Sequence, residues 1–262
     1  MNDTGKDTAH PLASKLSHFV PQTDADFLML DRLTQADERF DAHQDIILEG
    51  EVPRSMFVLK TGMACRYRVL QDGRRQIMTF LLPGDLCDPD VFLLRQMDHS
   101  IGATMPVRLS AISRDDVLDM AVQHPRISAG LWWSTMQEEA MLRERIVALG
   151  RRNAVGRVAY LLCELVRRQQ AIGQGQGDTI PLPLTQTELA DALGLTSVHI
   201  NRVLQDLRKR KLLTLKNRVL VLLDFDKIAE IAGFNGSYLD PVAASEDVAR
   251  FFEQREQPPA RS

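Results

Sequence analysis

The sequence has few cysteines and no long apolar segment. Its three cysteines, Cys65, Cys87 and Cys163, lie far apart, which fits neither a disulfide framework nor a zinc site and is typical of the reducing cytoplasm. No apolar run reaches the roughly eighteen residues of a transmembrane helix, so we expect no membrane span. The first ten residues are polar and lack the apolar core of a secretory signal, so we expect a cytoplasmic protein.

The sequence signatures of common enzymes are also missing. There is no Walker loop, no His-Glu-x-x-His metalloprotease motif and no Gly-x-Ser-x-Gly nucleophile elbow. Paired carboxylates with an obvious catalytic role are absent as well. We therefore expect that the protein is not an enzyme, has no catalytic residues and requires no metal or cofactor, although it could respond to an unknown small-molecule effector.

The formal net charge of −3 conceals an uneven distribution. Between Pro181 and Leu223 the chain has three acidic residues, Glu188, Asp191 and Asp206. The same segment contains seven basic residues: Arg202, Arg208, Lys209, Arg210, Lys211, Lys216 and Arg218. A basic segment in an otherwise acidic chain is typical of a module that binds the phosphates of nucleic acid.

The order of the predicted elements indicates an α+β protein. A helical stretch at 11–33 precedes short strands between 39 and 112, with a tight hairpin turn at Asp72-Gly73, and such a series is typical of an antiparallel barrel or jelly roll. We predict the following regions: a disordered lead at 1–10, a β jelly-roll sensor domain at 11–123, a long dimerisation helix at 124–152, a C-terminal winged helix-turn-helix domain at 153–235 and a mobile tail at 236–262.

The long helix carries a stripe with the three-and-four spacing of a helix seam. Its predicted members are Ile127, Leu131, Thr135, Glu138, Leu142, Ile146 and Leu149. We interpret the stripe as the contact between two copies of the chain. The alternative is that the helix packs only on its own barrel, with Trp132 and Trp133 in the core.

The segment from Thr185 to Leu222 has the successive signals of a winged helix-turn-helix. Thr185 with Glu188 forms a capping box that begins a helix, and Gly194 ends it, because glycine adopts the left-handed conformation at low cost. Thr196 caps a second helix, and a hairpin between 212 and 222, with its turn at Lys216-Asn217, forms the wing. The alternative is an amphipathic helical hairpin without a DNA-binding role.

The first turns of the second helix expose polar side chains that could reach bases and phosphates of double-stranded DNA. Arg202 can form a forked pair with guanine, the commonest specific contact of arginine. We predict that Ser197, Asn201 and Arg202 read bases. The predicted contacts to the DNA backbone are Thr185, Thr196, His199, Gln205, Lys216 and Arg218.

Over nearly its whole length, the chain resembles the CRP/FNR superfamily of transcription regulators. The helix-turn-helix carries most of the resemblance, and Gly50, Gly62 and the Pro83-Gly84-Asp85 turn extend it to a cyclic-nucleotide-binding-like domain. The resemblance implies a homodimer that joins through 124–152, binds a palindromic operator and acts on RNA polymerase. Arg202 matches the family's base-reading arginine. Val198 adds a fourth base-reading position, where many members have a glutamate.

The resemblance also gives positions for an effector pocket. In members that bind cyclic AMP, a Gly-Glu pair holds the ribose and an Arg-Ser pair holds the phosphate; here Asp88-Pro89 and His99-Ser100 occupy those places. His99 cannot replace a bidentate guanidinium, so we do not expect cyclic AMP as effector. The predicted pocket residues are Asp85, Cys87, Asp88, His99, Ser100, Leu142 and Arg143.

Three other kinds of sensor are conceivable: an iron–sulfur cluster, a haem and a redox-active cysteine. An iron–sulfur cluster needs four thiolates, and the chain has three cysteines. A haem could use His43, His99 or His124, although such histidines more often have a structural role. Cys87 is either a redox sensor or a small buried filler, and its acidic neighbours favour the filler. A module that binds a ligand and acts mainly through protein contacts remains an alternative function.

Overall fold

The computed structural model describes residues 10–88, 95–240, 250–252 and 254. Residues 1–9 of the disordered lead predicted at 1–10 lie outside the described residues, as do Pro89 and residues 241–249, 253 and 255–262 of the predicted mobile tail. The helical stretch predicted at 11–33 consists of two helices, α1 (Pro11–Ser17) and α2 (Asp24–Leu33). Thr23 and Asp26 form a capping box that begins α2 after Pro21.

Two antiparallel sheets form the predicted jelly-roll domain. The first has the strand order β1-β7-β3 and the second β2-β6-β4-β5. The strands are β1 (Glu38–Phe40), β2 (Asp45–Ile47), β3 (Ser55–Thr61), β4 (Ala64–Val69), β5 (Arg75–Leu81), β6 (Ser100–Ala103) and β7 (Val107–Ser113). The predicted hairpin turn joins β4 to β5, and Gly73 takes a φ of 79° there.

A short helix, α3 (Arg114–Gln123), leads to the long helix α4 (Pro125–Arg151). Part of the predicted seam is wrong: Ile127 and Leu131 pack with the barrel core, and Glu138 pairs with Arg66 of β4. The apolar residues that α4 exposes are Trp132, Met136, Leu142, Ile146 and Val147. Since Trp132 is 63% exposed, the alternative that places it in the core is also wrong.

The C-terminal domain is a winged helix-turn-helix, as predicted. Its helices are α5 (Ala154–Ala171), α6 (Gln186–Leu193), α7 (Ser197–Lys209) and α8 (Phe225–Ala232). Its strands β8 (Thr179–Pro181), β9 (Leu213–Lys216) and β10 (Val219–Leu222) pair in the order β8-β10-β9. Gly236–Leu239, placed in the predicted mobile tail, form a 3-10 helix whose Tyr238 hydroxyl lies 2.9 Å from that of Tyr160.

The barrel and the C-terminal domain share a core. Tyr67, Ile77 and Phe80 of the β4–β5 hairpin belong to the same buried cluster as Leu161 and Leu189 of the C-terminal domain. Arg75 of β5 also forms an ion pair with Asp191 of α6 at 2.9 Å. The helix-turn-helix is therefore held against the barrel. Within the described part of the chain, every helix is too short or too polar to span a bilayer.

Candidate DNA-binding surface

Local hydrogen bonds fix both ends of the turn between α6 and α7. The Thr185 hydroxyl accepts from the Glu188 amide at 3.1 Å, and the Glu188 carboxylate accepts from the Thr185 amide at 2.7 Å, which confirms the capping box. Gly194 adopts the left-handed conformation with φ 61°, and the Thr196 hydroxyl accepts from the amide of His199. These contacts set the direction in which α7 leaves the turn.

A contact from α5 completes this arrangement, and sequence reasoning missed it. The Arg157 guanidinium donates to the carbonyl of Leu193 at 3.1 Å, at the carboxyl end of α6. A cation is favourable there because the last carbonyls of a helix carry partial negative charge. Arg157 and Leu193 are 36 positions apart, so no local pattern could have paired them.

The inner face of α7 is apolar and closed. Ile200, Val203, Leu204 and Leu207 are buried against α6 and the domain core, as predicted. Val198, which could have joined this inner face, is instead 60% exposed. The helix therefore presents its opposite face to solvent.

The four predicted base-reading residues lie in the first two turns of α7, with Val198 and Arg202 on this outer face and Ser197 and Asn201 half-buried beside α6. The Ser197 hydroxyl lies 3.4 Å from that of Thr187, and the Asn201 amide donates to Gln186 at 3.2 Å. Val198 and Arg202, four positions apart, are both exposed. Gln186 and Thr187 were not predicted; their signal is their place in the first turn of α6, directly after the cap.

The predicted backbone contacts flank this face. Thr196, His199 and Gln205 are exposed around α7. The Thr185 hydroxyl, however, already donates to Glu188 at 2.8 Å, so a phosphate could receive this donor only by replacing that bond. The assignment of Thr185 as a phosphate contact stays a prediction, and in the structure Glu188 competes with a phosphate for the Thr185 hydroxyl.

The wing places two more basic residues in solvent. Asn217 and Arg218 have φ of 52° and 59°, the left-handed pair typical of a two-residue hairpin turn, so the turn lies one position later than the predicted Lys216-Asn217. Lys216 and Arg218 are exposed at its tip. Together with the exposed basic run Arg208–Lys211 at the end of α7, they make this side of the domain positive.

Comparison with known proteins assigns this arrangement to a family. The sequence model of the Crp-like helix-turn-helix domain matches residues 156–231, and that of the cyclic nucleotide-binding domain matches residues 37–124. The chain belongs to the CRP/FNR superfamily. It is therefore a transcription regulator with a helix-turn-helix DNA-binding domain, as the sequence predicts.

Relatives support this assignment across both domains. The transcriptional activator protein FnrL of Cereibacter sphaeroides is 29% identical over 198 residues, which cover 74% of this chain and 79% of FnrL. The nitrogen fixation regulation protein FixK of Bradyrhizobium diazoefficiens is 28% identical over 193 residues, 74% of this chain and 80% of FixK. The solved structure of FixK2 from Bradyrhizobium japonicum superposes with a TM-score of 0.68 at 25% identity, covering 76% of this chain and 98% of that one.

The predicted effector residues of this CRP/FNR chain have other partners. Asp85 accepts from Lys15 at 2.6 Å, from Arg168 at 2.7 Å and from the Leu82 amide at 2.7 Å. Burial opposes the ionisation of Asp85, but the charges of Lys15 and Arg168 outweigh it and hold the pKa of Asp85 below its usual value. Asp85 thus ties α1, the barrel and α5 of the DNA-binding domain together.

An arginine that was not predicted occupies the barrel beside Cys87. The Arg66 guanidinium donates to the carbonyls of Leu86 and Cys87 at 2.7 and 2.8 Å and to Glu138 of α4 at 2.8 Å. Burial raises the pKa of the Cys87 thiol to about 12, and Asp88 beside it is buried. In the sequence, Arg66 could have been noticed only as a charged residue within the strand β4, whose first four residues are buried.

Most of the remaining predicted pocket residues also have partners of their own. The Ser100 hydroxyl accepts from the amide of Glu49 at 2.9 Å, and the His99 ring nitrogen lies 2.6 Å from Asp98. Leu142 and Arg143 are exposed on α4, where Arg143 pairs with Glu139. The domain has the fold of the cyclic nucleotide-binding family, and that cyclic AMP is not its effector stays a prediction.

Proposed function

We propose that this CRP/FNR regulator binds a palindromic operator as a homodimer and places α7 of each protomer in a major groove. The observation that carries the proposal is the outer face of α7. Val198 and Arg202 are exposed on it, while the inner face of the same helix is buried. The N-terminal turns of such a helix are the part that meets base edges.

The apolar face of α4 supports pairing with a second copy. Trp132, Met136 and Ile146 are 63%, 43% and 71% exposed along one side of this helix. An exposed apolar stripe of this length usually marks a protein contact. Two-fold pairing along α4 would set two α7 helices side by side, so the half-sites should lie about one helical turn of DNA apart.

The residues on α7 predict the kind of half-site. The Arg202 guanidinium is suited to the two acceptors that guanine presents in the major groove. Valine offers no acceptor for the cytosine amino group, so Val198 favours an apolar contact such as the methyl group of thymine. We expect a half-site that contains guanine and differs from that of members with a glutamate at this position.

The regulator's further partners follow from this role. A protein that occupies a promoter site and controls transcription acts on RNA polymerase, and three buried free thiols are compatible with the reducing cytoplasm. The partner arrangement around Arg66, Asp85 and Ser100 favours an effector other than cyclic AMP.

Selection of bound sequences from a random DNA pool tests the proposal. The purified full chain is incubated with the pool, with and without cell extract, and the retained DNA is sequenced. We expect enrichment of two inverted half-sites with guanine, spaced by about 10 base pairs. Recovery of sequences without inverted symmetry, or no enrichment under either condition, would contradict the proposal.

A further inference from the structure

A cavity of about 1130 Å³ lies where the barrel, the long helix and the DNA-binding domain meet. It is distinct from the position beside Cys87 that Arg66 occupies. Its walls include Lys15 of α1, Asp85 of the barrel, Gln137 of α4, Arg168 of α5, Phe225 of α8 and Phe234. Its volume is comparable with the about 300–1,000 Å³ of small-molecule sites, and such sites are common at domain junctions.

One wall consists of residues 234–240, which we call the strap. The ring of Phe234 packs edge-on against Tyr160 of α5 at 5.1 Å. The Tyr238 hydroxyl lies 2.9 Å from the Tyr160 hydroxyl, and the Tyr238 carbonyl accepts from Gln137 of α4 at 3.3 Å. The strap therefore follows directly from the DNA-binding domain and is bound to the long helix.

The charges around the cavity narrow the class of ligand. Lys15 and Arg168 both pair with Asp85, and the Arg167 guanidinium lies 4.2 Å from the ring centre of Phe225. A phosphate or carboxylate would compete with Asp85 for Lys15 and Arg168. The buried Nη1 of Arg168 has no hydrogen-bond partner, but its charge is already offset by the Glu164 carboxylate at 3.6 Å. Two further lining carboxylates, Asp226 and Asp240, would repel an anion. Cations and carboxylates are thus balanced, and multiply charged ligands are disfavoured.

The uncharged part of the lining is amphipathic. Apolar side chains come from every wall except α4, and they include Phe19, Leu82, Ile172, Phe225, Phe234 and Leu239. Gln137, Gln170 and Asn235 add amide groups that can donate and accept hydrogen bonds. Such a surface suits an apolar body with a few uncharged polar groups.

We propose that this cavity is the effector site of the regulator and binds a neutral amphipathic small molecule. The effector role rests on the proposed function. A molecule in the cavity touches the sensor domain, α4, α8 and the strap at once, so its affinity depends on how these parts are arranged. By linkage, any such difference in affinity changes the population of the arrangement that binds DNA.

Binding of N-phenyl-1-naphthylamine, a neutral aromatic dye that fluoresces in apolar surroundings, tests the site. Ala171, which lines the cavity, and Ala121, on α3 away from it, are both exposed alanines near helix ends and make a matched pair. We expect saturable binding of one dye per protomer to the wild type and to Ala121→Trp. Ala171→Trp should weaken binding at least about tenfold.

A second variant in the cavity separates a loss of dye binding from a loss of folding. Ser237 is exposed on the strap and lines the cavity, so Ser237→Trp should also weaken dye binding. The thermal midpoint of each variant reports whether it is folded. Equal binding by the wild type and a folded Ala171→Trp or Ser237→Trp variant would overturn the site, as would the absence of saturable binding by the wild type.

DNA titrations separate this inference from the proposed function. With selected operator DNA, saturating dye should change the Kd of the wild type by about fivefold or more and leave that of Ala171→Trp unchanged. An unchanged wild-type Kd with dye bound would overturn the effector role. Dye binding by a protein that fails to retain any DNA would leave the cavity intact as a site and refute the proposed function instead.

Discussion

The Arg66 guanidinium of β4 meets the Glu138 carboxylate in the middle of α4, with Nη1 and Oε2 2.8 Å apart. Both side chains are nearly buried, and Arg66 also donates to two carbonyls of the 86–87 turn. This pair turns one side of α4 toward the barrel. It thereby decides which residues of α4 remain outside and are available to a second copy.

Removing one member of this pair should destabilise the fold. Glu138→Gln leaves the Arg66 charge in a buried place without its carboxylate, so we expect a loss of about 3 kcal/mol in the free energy of unfolding. Glu139→Gln, which affects the exposed pair with Arg143, is the matched control and should cost less than about 1 kcal/mol. Urea titrations followed by circular dichroism measure both. Equal effects of the two substitutions would contradict a role for the buried pair.

The triad of Lys15, Asp85 and Arg168 should make stability depend on pH. The folded pKa of Asp85 lies below the ordinary aspartate value of 3.8, so its stabilising effect is present above that value and is lost as pH falls through the folded pKa. We expect the wild type to exceed Asp85→Asn in unfolding free energy at pH 7 and the difference to shrink below about pH 4. Denaturant titrations at several pH values test this, and a difference that stays constant down to pH 2 would be inconsistent with it.

The cysteines should be chemically inert in the folded protein. Burial raises the pKa of Cys65, Cys87 and Cys163 to about 12, so little thiolate exists at pH 8. We expect iodoacetamide to leave all three unmodified in native buffer and to alkylate all three in urea, as measured by mass spectrometry. Rapid alkylation of native Cys87 would revive its interpretation as a redox sensor.

A charge on the exposed face of α4 should break the dimer without harming the protomer. Ile146 is 71% exposed in the single chain, so Ile146→Asp should leave its folding intact but weaken self-association at least about tenfold. Val122→Asp on α3, where the side chain is 84% exposed, is the matched control. Sedimentation equilibrium distinguishes the two. A dimer of unchanged strength with Ile146→Asp would place the contact elsewhere.

The elements that the sequence predicted correctly depend on nearby residues. Thr185 and Glu188 are three positions apart, and Gly194 and Thr196 mark the turn directly, so the helix-turn-helix could be recognised from its own segment. Whether a cap residue or an exposed arginine contacts DNA is a separate question that these local signals do not answer.

The contacts that could not be predicted from the sequence join residues that are far apart in the chain. Arg66 and Glu138 are 72 positions apart, and Asp85 is 83 positions from Arg168. Without the first pair, Glu138 looks like a tolerated polar member of the seam, and the predicted stripe includes residues that face the barrel. Without the second, nothing in the sequence shows that Asp85 also joins the barrel to α5 of the DNA-binding domain.

The most direct test of the account is a base-pair-specific titration with Arg202→Ala. Wild type and variant are titrated by fluorescence anisotropy against the selected palindrome and against the same DNA with its half-site guanines replaced by adenine. The account predicts that the wild type discriminates by about 1–3 kcal/mol per base pair and that Arg202→Ala binds both DNAs alike. A variant that keeps the full wild-type preference for guanine would contradict the assignment of Arg202 as the base-reading residue.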